Sequence, residues 1–425
     1  MKVIIAGAGL GGLCLAHGLR QAGVEVQVLE RRPSPAGQPA SYGIHLNGNG
    51  LRALRACLPA ANWERLDGAA VPAPDVVRFW DQRLRTLAVI DHEVPGADRE
   101  LHRRAVSRGA LRDALLRGLN TRTVNATDVI QWGRAVTGYD HDPGGRLRVR
   151  CADGSEVTGD LLVGADGSNS RIRAQRLPGL NRLELGILNV AGRVPLTTRL
   201  TGQLPAALTD GSVNNVVPAG PGWMFVSTWR IDADQDGTDP ESEAAGTFLV
   251  WAWAADRASY PADVDAFTPE RLRDLVAARI AAWAPALRGL VAATDPGTIA
   301  PVSLRSMPAL AAWPASDVTL LGDAIHNMTP MAGIGANTAL RDADGLRQAL
   351  LAPGPDDITA RVGRYEEQMR GYANQALALS TRNARNAASP RRLPRLAFRS
   401  ALRIAESVSP AKRRMFGGTP APVTR

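Results

Sequence analysis

Cysteine and lysine are both scarce in this chain. Only Cys14, Cys57 and Cys151 are cysteine among 425 residues, and none belongs to a CxxC or Cys/His spacing. This excludes a disulfide scaffold and a zinc site built on such spacings, so we expect three reduced, buried thiols. Lys2 and Lys412 are the only lysines, so the net charge of +9 comes from arginine. Because the arginines are spread along the chain without a nucleic-acid motif, no nucleic-acid partner is expected.

Long hydrophobic runs are also missing. No uninterrupted apolar stretch approaches the roughly 20 residues that a membrane-spanning helix needs. The apolar segment Val3–Ala6 begins almost at the first residue, which leaves no room for a charged leader. With 45% hydrophobic residues, the sequence predicts a globular, cytoplasmic protein without a membrane partner, either a monomer or a homodimer.

The first 30 residues predict a nucleotide-binding unit. A strand over Val3–Ala6, a helix over Gly11–Gln21 and a strand over Val24–Leu29 form a β-α-β unit. A strand over Val318–Leu321 and a helix over Asn337–Leu351 repeat this α/β character near the other end.

The middle of the chain is dominated by strand patterns from Leu185 to Ala255, followed by a helix over Pro269–Ala284. Its large aromatic residues are Trp223, Phe225, Trp229, Phe248, Trp251 and Trp253. They suit either a broad apolar cavity or the core of a sheet. The expected fold class is therefore α/β, with a Rossmann-like domain, an inserted β-sheet domain and a C-terminal helix.

The segment Gly7-Ala-Gly-Leu-Gly-Gly12 follows the first strand and opens the first helix. Glycine is needed for the tight turn at Gly7, for close approach of a pyrophosphate at Gly9 and for helix–strand packing at Gly12. Glu30 ends the second strand, where an acidic side chain accepts hydrogen bonds from a ribose. This context indicates a dinucleotide site but does not distinguish FAD from NAD.

Two later strands also end in glycine and an acid. Asp166-Gly167 closes one apolar strand, and Gly322-Asp323 closes another before a Pro/Gly loop and a helix. Because ligands of open α/β sheets lie at the carboxyl ends of strands, the three ends could line one elongated ligand. Asp323 would accept from a polyol hydroxyl, and the helix opening near Ala336–Asn337 would direct its positive end at developing negative charge.

These three motifs, in this order, resemble those of the class A flavoprotein monooxygenases, the superfamily of para-hydroxybenzoate hydroxylase. The family pattern GDAxHxxxPxxGxGxNxAxxDAxxL is matched over Gly322–Leu346, and the likeness covers essentially the whole chain. The resemblance implies noncovalent FAD, held by Gly7, Gly9, Leu10, Gly12, Glu30, Arg31, Arg108, Asp166, Gly322, Asp323, Pro330, Gly335, Ala336 and Asn337. It also implies a discontinuous FAD-binding domain over 1–75, 100–180 and 305–360, a substrate domain over 76–99 and 181–304, and a helical segment over 361–425.

The resemblance further implies a reaction. NADH or NADPH would reduce FAD, O2 would form a flavin C4a-hydroperoxide, and one oxygen atom would go to an aromatic or polycyclic small molecule, in secondary metabolism. No metal and no protein nucleophile is expected. His45 is a candidate for a substrate hydrogen bond, and His326 for fixing the loop that contains it.

Other functions stay open on the same scaffold. Epoxidation, Baeyer–Villiger oxygenation and flavin-dependent reduction are alternatives, as is a non-enzymatic protein that binds flavin and a metabolite. Flavin-dependent halogenation is disfavoured, because Trp251-Ala-Trp253-Ala-Ala lacks the Ile-Pro of the WxWxIP segment. A pocket lysine is also missing.

The end of the sequence predicts an amphipathic helix. One face carries Leu393, Ala397, Ala401, Ile404 and Val408, and another carries Arg392, Arg395, Arg399 and Arg403. We expect this helix to pack its apolar face on the FAD domain and to expose its arginines. A helix on a membrane surface is the alternative.

Overall fold

The structure, a computed structural model, describes residues 1–35, 43–91, 102–119, 128–231 and 246–407. Its strands are β1 Lys2–Ala6, β2 Glu25–Glu30, β3 Ile44–Leu46, β4 Val71–Pro72, β5 Val76–Trp80, β6 Thr86–Asp91, β7 Arg104–Val106, β8 Ile130–Trp132, β9 Val136–His141, β10 Leu147–Cys151, β11 Glu156–Gly159, β12 Leu161–Gly164, β13 Leu183–Pro195, β14 Val213–Val216, β15 Trp223–Ile231, β16 Gly246–Asp256, β17 Ala300–Ser306 and β18 Val318–Leu320.

The helices in the same ranges are α1 Leu10–Gln21, α2 Gly48–Cys57, α3 Ala60–Ala69, α4 Arg108–Leu116, α5 Arg171–Arg176, α6 Thr198–Thr201, α7 Pro269–Arg279, α8 Pro285–Ala292, α9 Asp323–His326, α10 Gly335–Leu351, α11 Ile358–Ala388 and α12 Arg392–Ser407. The helix predicted over Pro269–Ala284 is too long. It ends at Arg279, and α8 then begins at Pro285, which suits the first position of a helix.

A five-stranded parallel sheet in the order β18-β12-β1-β2-β8 forms the first layer. Helix α1 packs on it and contacts α10, α2 and α4. Because all five strands run in one direction, the carboxyl ends of β1, β12 and β18 lie at the same edge. We call this edge, with Gly7, Asp166 and Gly322 at its strand ends, the cofactor edge.

A seven-stranded sheet in the order β17-β13-β16-β15-β14-β5-β6 forms the second layer, antiparallel except between β14 and β5. Successive side chains point to opposite faces of a strand, and this divides the six aromatic residues, of which Trp223 packs separately with Phe79 and Leu402. Trp251 and Trp253 belong to a core that includes Leu272 of α7 and Leu287 of α8. The other face carries Phe225 and Trp229 of β15 and Phe248 of β16, which we call the aromatic face.

Helix α12 contradicts the orientation expected from the sequence. It packs on the seven-stranded sheet at β6, with Arg395 and Arg399 buried, while Leu393 and Ile404 are exposed. The guanidinium groups donate to backbone carbonyls next to the ends of β14 and β15 and at the end of α11, which satisfies them in the interior. The expected exposed arginine face is therefore wrong for these two residues, and so is the expected packing on the FAD domain, because β6 belongs to the seven-stranded sheet. Val408 lies outside the described residues.

Two further expectations can be compared with the structure. Cys14, Cys57 and Cys151 are free and buried, as predicted. Within the described ranges no helix is both long and apolar enough to cross a membrane. The domain boundaries stay a prediction, although the strands of each sheet come from the segments assigned to one domain, apart from the last residues of β17.

Candidate active site

Glycines bring the backbones of β1, α1 and β12 into contact at the cofactor edge. Gly7 has a φ of +110°, and a Cβ there would overlap the carbonyl oxygen of Ala165. A Cβ on Gly12 would overlap the carbonyl oxygen of Gly7. At Gly9 the nearest atom would be 3.9 Å away, so space is open there. Helix α1 begins at the next residue, Leu10, without a side-chain cap, so its first N–H groups can bind an anion.

Glu30 lies buried beside this turn. Its Oε2 accepts the Ala8 N–H at 2.7 Å, and its Oε1 accepts the Arg32 N–H at 3.0 Å. Each carboxylate oxygen has a second lone pair. Glu30 can therefore hold the turn and still accept from a ribose hydroxyl, while Arg31 is exposed beside it.

Helix α4 carries two arginines, and the charge of Glu30 acts on one of them, Arg112. Ser107 caps the helix, and Arg108 is exposed in its first turn. Arg112, one turn later, donates to the Pro35 carbonyl at 2.9 Å and lies over the Trp132 ring. Burial, followed by the charge of Arg32, lowers the pKa of Arg112. Sequence reasoning missed Arg112, although the spacing of four residues from Arg108 puts both on one helix face.

The end of β12 supplies a buried acceptor. Asp166 accepts the Arg171 N–H through Oδ2 at 2.7 Å, and its Oδ1 has no hydrogen-bond partner among the described residues. Arg173, which the sequence did not single out, donates to the Ser168 carbonyl at 3.1 Å and to the Ala324 carbonyl at 2.8 Å. It therefore ties the turn after β12 to the turn after β18. A free buried oxygen in this place fits a ligand hydroxyl.

Asp342 anchors the turn after β18. Its Oδ2 accepts from the Gly322 N–H at 2.7 Å and from His326 Nε2 at 2.6 Å, and its Oδ1 accepts from the Tyr372 hydroxyl at 2.6 Å. Burial opposes a charge on His326, but the charge and hydrogen bond of Asp342, together with the charge of Asp323, raise the pKa of His326. His326 thus fixes the loop, as predicted. Asp323 stands exposed at the start of α9.

The start of α10 lies against β3 and α2. The helix begins at Gly335 without a side-chain cap, one residue before Ala336, and Pro330 is exposed in the preceding turn. The Asn337 amide accepts the Asn47 N–H at 2.9 Å and donates to the His45 carbonyl at 2.8 Å. Asn337, predicted as a cofactor ligand, therefore uses its side chain to position the segment that contains His45.

His45 joins this segment to the aromatic face. Its Nε2 lies 3.3 Å from Ser227 Oγ, and its ring centroid lies 5.0 Å from that of Trp229. Because the Ser227 hydroxyl donates to the Ser212 carbonyl, Nε2 must be the protonated nitrogen. Nδ1 is then a bare acceptor, and it is buried without a partner among the described residues. Burial, followed by the charge of Arg103, holds the pKa of His45 well below its usual value, so the ring is neutral.

Three observations indicate that these residues fit FAD. The uncapped start of α1 suits the pyrophosphate, and the uncapped start of α10 suits the electron-rich edge of a reduced flavin. The free Oδ1 of Asp166 suits a hydroxyl between them. An uncapped start is not special in itself, because α2, α4, α5 and α11 begin with a side-chain cap whereas α3, α8 and α9 do not. The starts of α1 and α10 are relevant because they follow β1 and β18. The contacts of each predicted cofactor residue with FAD stay a prediction.

A family profile described as an FAD binding domain matches residues 1–380. The chain belongs to this FAD-binding family. A solved structure from Photorhabdus luminescens subsp. laumondii TTO1, provisionally assigned as an FAD-containing monooxygenase, is 43% identical. It aligns with a TM-score of 0.80 over 91% of this chain and 98% of that one. The resemblance to flavoprotein monooxygenases inferred from the motifs is confirmed.

Two further relatives extend the comparison. The Klebsiella pneumoniae protein HpxO, solved with FAD and uric acid, is 25% identical with a TM-score of 0.76 over 95% of this chain and 93% of that one. The dual O-methyltransferase/FAD-dependent monooxygenase CTB3 of Cercospora beticola is 26% identical over 399 residues, which are 88% of this chain and 44% of that protein. The chain thus spans less than half the length of this relative.

Proposed function

We propose that this protein is a monooxygenase that uses NADH or NADPH and O2 to hydroxylate a planar aromatic or polycyclic small molecule on bound FAD. The observation that carries the proposal is the double contact of His45. Its carbonyl accepts from Asn337 at the uncapped start of α10, and its imidazole contacts Ser227 and Trp229 on the aromatic face. One residue therefore borders both the place that suits the flavin ring and the place that suits a substrate.

The aromatic face supports a flat, mostly apolar substrate. The Trp229 ring lies 6.1 Å from that of Phe225 and 6.3 Å from that of Phe248, at distances where rings stack. Gly43 lies against this face, because a Cβ there would overlap the Trp229 ring. Aromatic side chains of this kind hold a ring system by contact area. The guanidinium of Arg193, 5.1 Å from the Phe248 ring centroid, adds one positive charge to this face.

Two neutral polar atoms on this face, together with the Arg193 guanidinium over the Phe248 ring, would orient the substrate. Trp229 Nε1 is buried without a partner among the described residues and can only donate, whereas His45 Nδ1 can only accept. A substrate with an acceptor and a donor on one edge, such as a phenol or a nitrogen heterocycle with a ring carbonyl, would satisfy both. Because the ring of His45 is neutral, it would not hold a carboxylate by charge.

Bound FAD would supply the redox chemistry, which is reduction by a nicotinamide cofactor and transfer of one oxygen atom from O2. The chain would do the rest. Asn337 would hold the His45 segment against the flavin site, the aromatic residues would exclude water, and the starts of α1 and α10 would stabilise negative charge.

The test uses the purified, FAD-loaded protein with phenols, indoles and polycyclic ketones. We expect yellow protein that releases FAD on denaturation, NADH or NADPH oxidation that a substrate stimulates, and a product heavier by one atom of isotopically labelled O2. Stimulated oxidation without labelled product would indicate a reductase instead. Ligand affinity without stimulated oxidation would indicate a binding protein, and a colourless protein that cannot be reconstituted with FAD would overturn the whole proposal.

A further inference from the structure

Helix α12 turns an apolar stripe toward solvent. Leu393, Leu396 and Ile404 expose 80%, 46% and 60% of their surface. At 3.6 residues per turn the three lie on one face, opposite to Leu402 and Ala405, which are fully buried. A helix docked only to bury its large apolar side chains would bury these three residues and expose its arginines.

The orientation of α12 is fixed by its buried arginines. Arg395 donates to the carbonyls of Gly222 at 2.7 Å and Ser389 at 2.6 Å, and Arg399 donates to the carbonyl of Val217 at 2.9 Å. On the same side Phe398 stacks on Trp223 at 6.1 Å. Rolling the helix to bury the stripe would leave guanidinium and carbonyl groups without partners in the interior, which is costly. The stripe therefore stays exposed.

Positive charge borders the stripe. Arg391 and Arg392 at its start and Arg403 near its end are exposed. The helical angle puts Arg392 and Arg403 on the same flank of the stripe. Glu406 is the one acidic residue of α12, and its Oε2 accepts the Val89 N–H of the neighbouring strand at 2.9 Å. The exposed side of the helix is thus apolar in the middle and basic at its border.

We propose that this face of α12 binds an anionic lipid surface, with the helix lying in the plane of the membrane interface. Leucine and isoleucine would enter the acyl boundary while the arginines reach lipid phosphates, as in interfacial amphipathic helices. A second copy of the chain fits less well. The stripe exposes roughly 300 Å² of apolar surface, against about 800 Å² per partner in a stable dimer. A two-fold contact through the stripe would also bring like-charged arginines together.

The experiment is vesicle flotation of the FAD-loaded full chain, with phosphatidylcholine vesicles that either contain or lack phosphatidylserine. We expect binding only to the anionic vesicles, and weaker binding as salt is raised. The double variant Leu393→Ser/Ile404→Ser should bind at least about tenfold more weakly, because it removes most of the inserted surface. Arg392→Gln/Arg403→Gln should weaken binding and its salt dependence.

Matched controls distinguish binding through the stripe from nonspecific binding through any exposed apolar side chain. Leu183→Ser and Val302→Ser remove side chains that are 49% and 47% exposed on another part of the molecule, and should bind as the parent does. A chain ending at Ser407 should also bind, because it keeps the stripe. Flavin absorbance and Tm show whether each variant is folded. If the double variant is not, the single variant Leu393→Gln replaces it. Absence of binding, equal binding by the double variant, or a dimer in sedimentation that the double variant dissociates would each overturn the proposal.

Discussion

The cofactor edge and the aromatic face are built by different means. At the cofactor edge the groups predicted to face the ligand are backbone N–H groups and acids at strand ends, at Gly7, Asp166 and Gly322. On the aromatic face they are side chains from β3, β15 and β16, brought together by sheet register and one loop. Backbone geometry demands particular residues in a fixed local order, whereas a face of alternating side chains accepts many combinations. The first region therefore carries a readable motif and the second does not.

The largest expected effect is at the cofactor edge. Gly7→Ala should abolish FAD binding and lower the free energy of unfolding by about 4 kcal/mol, because it adds a steric overlap to a strained φ. Gly23→Ala is the matched control, since its φ of +77° is also positive but no atom lies within 4 Å of the added Cβ. It should cost about 1–2 kcal/mol and retain FAD. Flavin content and denaturant titration measure both, and equal losses would show that the overlap at Gly7 is unimportant.

Asp342→Asn tests the support of the same edge. It removes the buried charge that binds the Gly322 N–H, His326 and Tyr372, and should cost about 3 kcal/mol. Asp344→Asn, two residues away, affects a partly exposed pair with Arg347 and an exposed hydrogen bond from Gln348, and should cost about 0–1 kcal/mol. Urea unfolding of the two variants measures both losses in the free energy of unfolding. A similar cost for both would mean that Asp342 is not an anchor.

The same anchor predicts a pH dependence. Since the folded-state pKa of His326 is raised, folding binds its proton more tightly, so its contribution to stability is full below pH 6.5 and is lost as pH rises through the folded pKa. Burial lowers the pKa of His17 to about 4, so His17 makes stability depend on pH only below pH 6.5, outside the range of this test. Unfolding titrations above that pH should show stability falling in the parent and a flatter profile in Asp342→Asn. Parallel profiles would contradict this.

The sequence predicted the features that depend on local backbone geometry and missed those that depend on distant side-chain contacts. The β1-α1-β2 unit, the three strand ends and the uncapped start of α10 are local features with strong residue requirements. Arg173 was missed and Asp342, although part of the matched pattern, was given no role, because their partners lie elsewhere in the chain and nothing local distinguishes a buried arginine or aspartate from an exposed one. For α12, periodicity identified two faces but not which one is buried, because backbone carbonyls of a distant sheet decide it.

Asp323→Ala removes the proposed acceptor for a polyol hydroxyl at the end of β18. FAD affinity should fall by about 1–3 kcal/mol, because the ligand hydroxyl loses its partner. Asp317→Ala, just before the opposite end of the same strand, removes a contact with His141 and should leave FAD affinity unchanged. Fluorescence titration of the apoprotein with FAD measures both. Unchanged affinity in Asp323→Ala would mean that the cofactor does not reach this strand end.

The smallest expected effect tests the aromatic face with two tryptophans. Trp229 and Trp253 both carry a buried Nε1 without a partner among the described residues, but Trp229 lies on the aromatic face and Trp253 in the core beneath it. Trp229→Phe should raise KM about tenfold, because the substrate loses a donor, and should leave FAD affinity unchanged. Trp253→Phe should leave KM unchanged and stability the same or slightly higher, because it removes an unsatisfied N–H from the core. If both variants changed KM alike, the loss would reflect packing of the sheet, and the substrate would lie elsewhere.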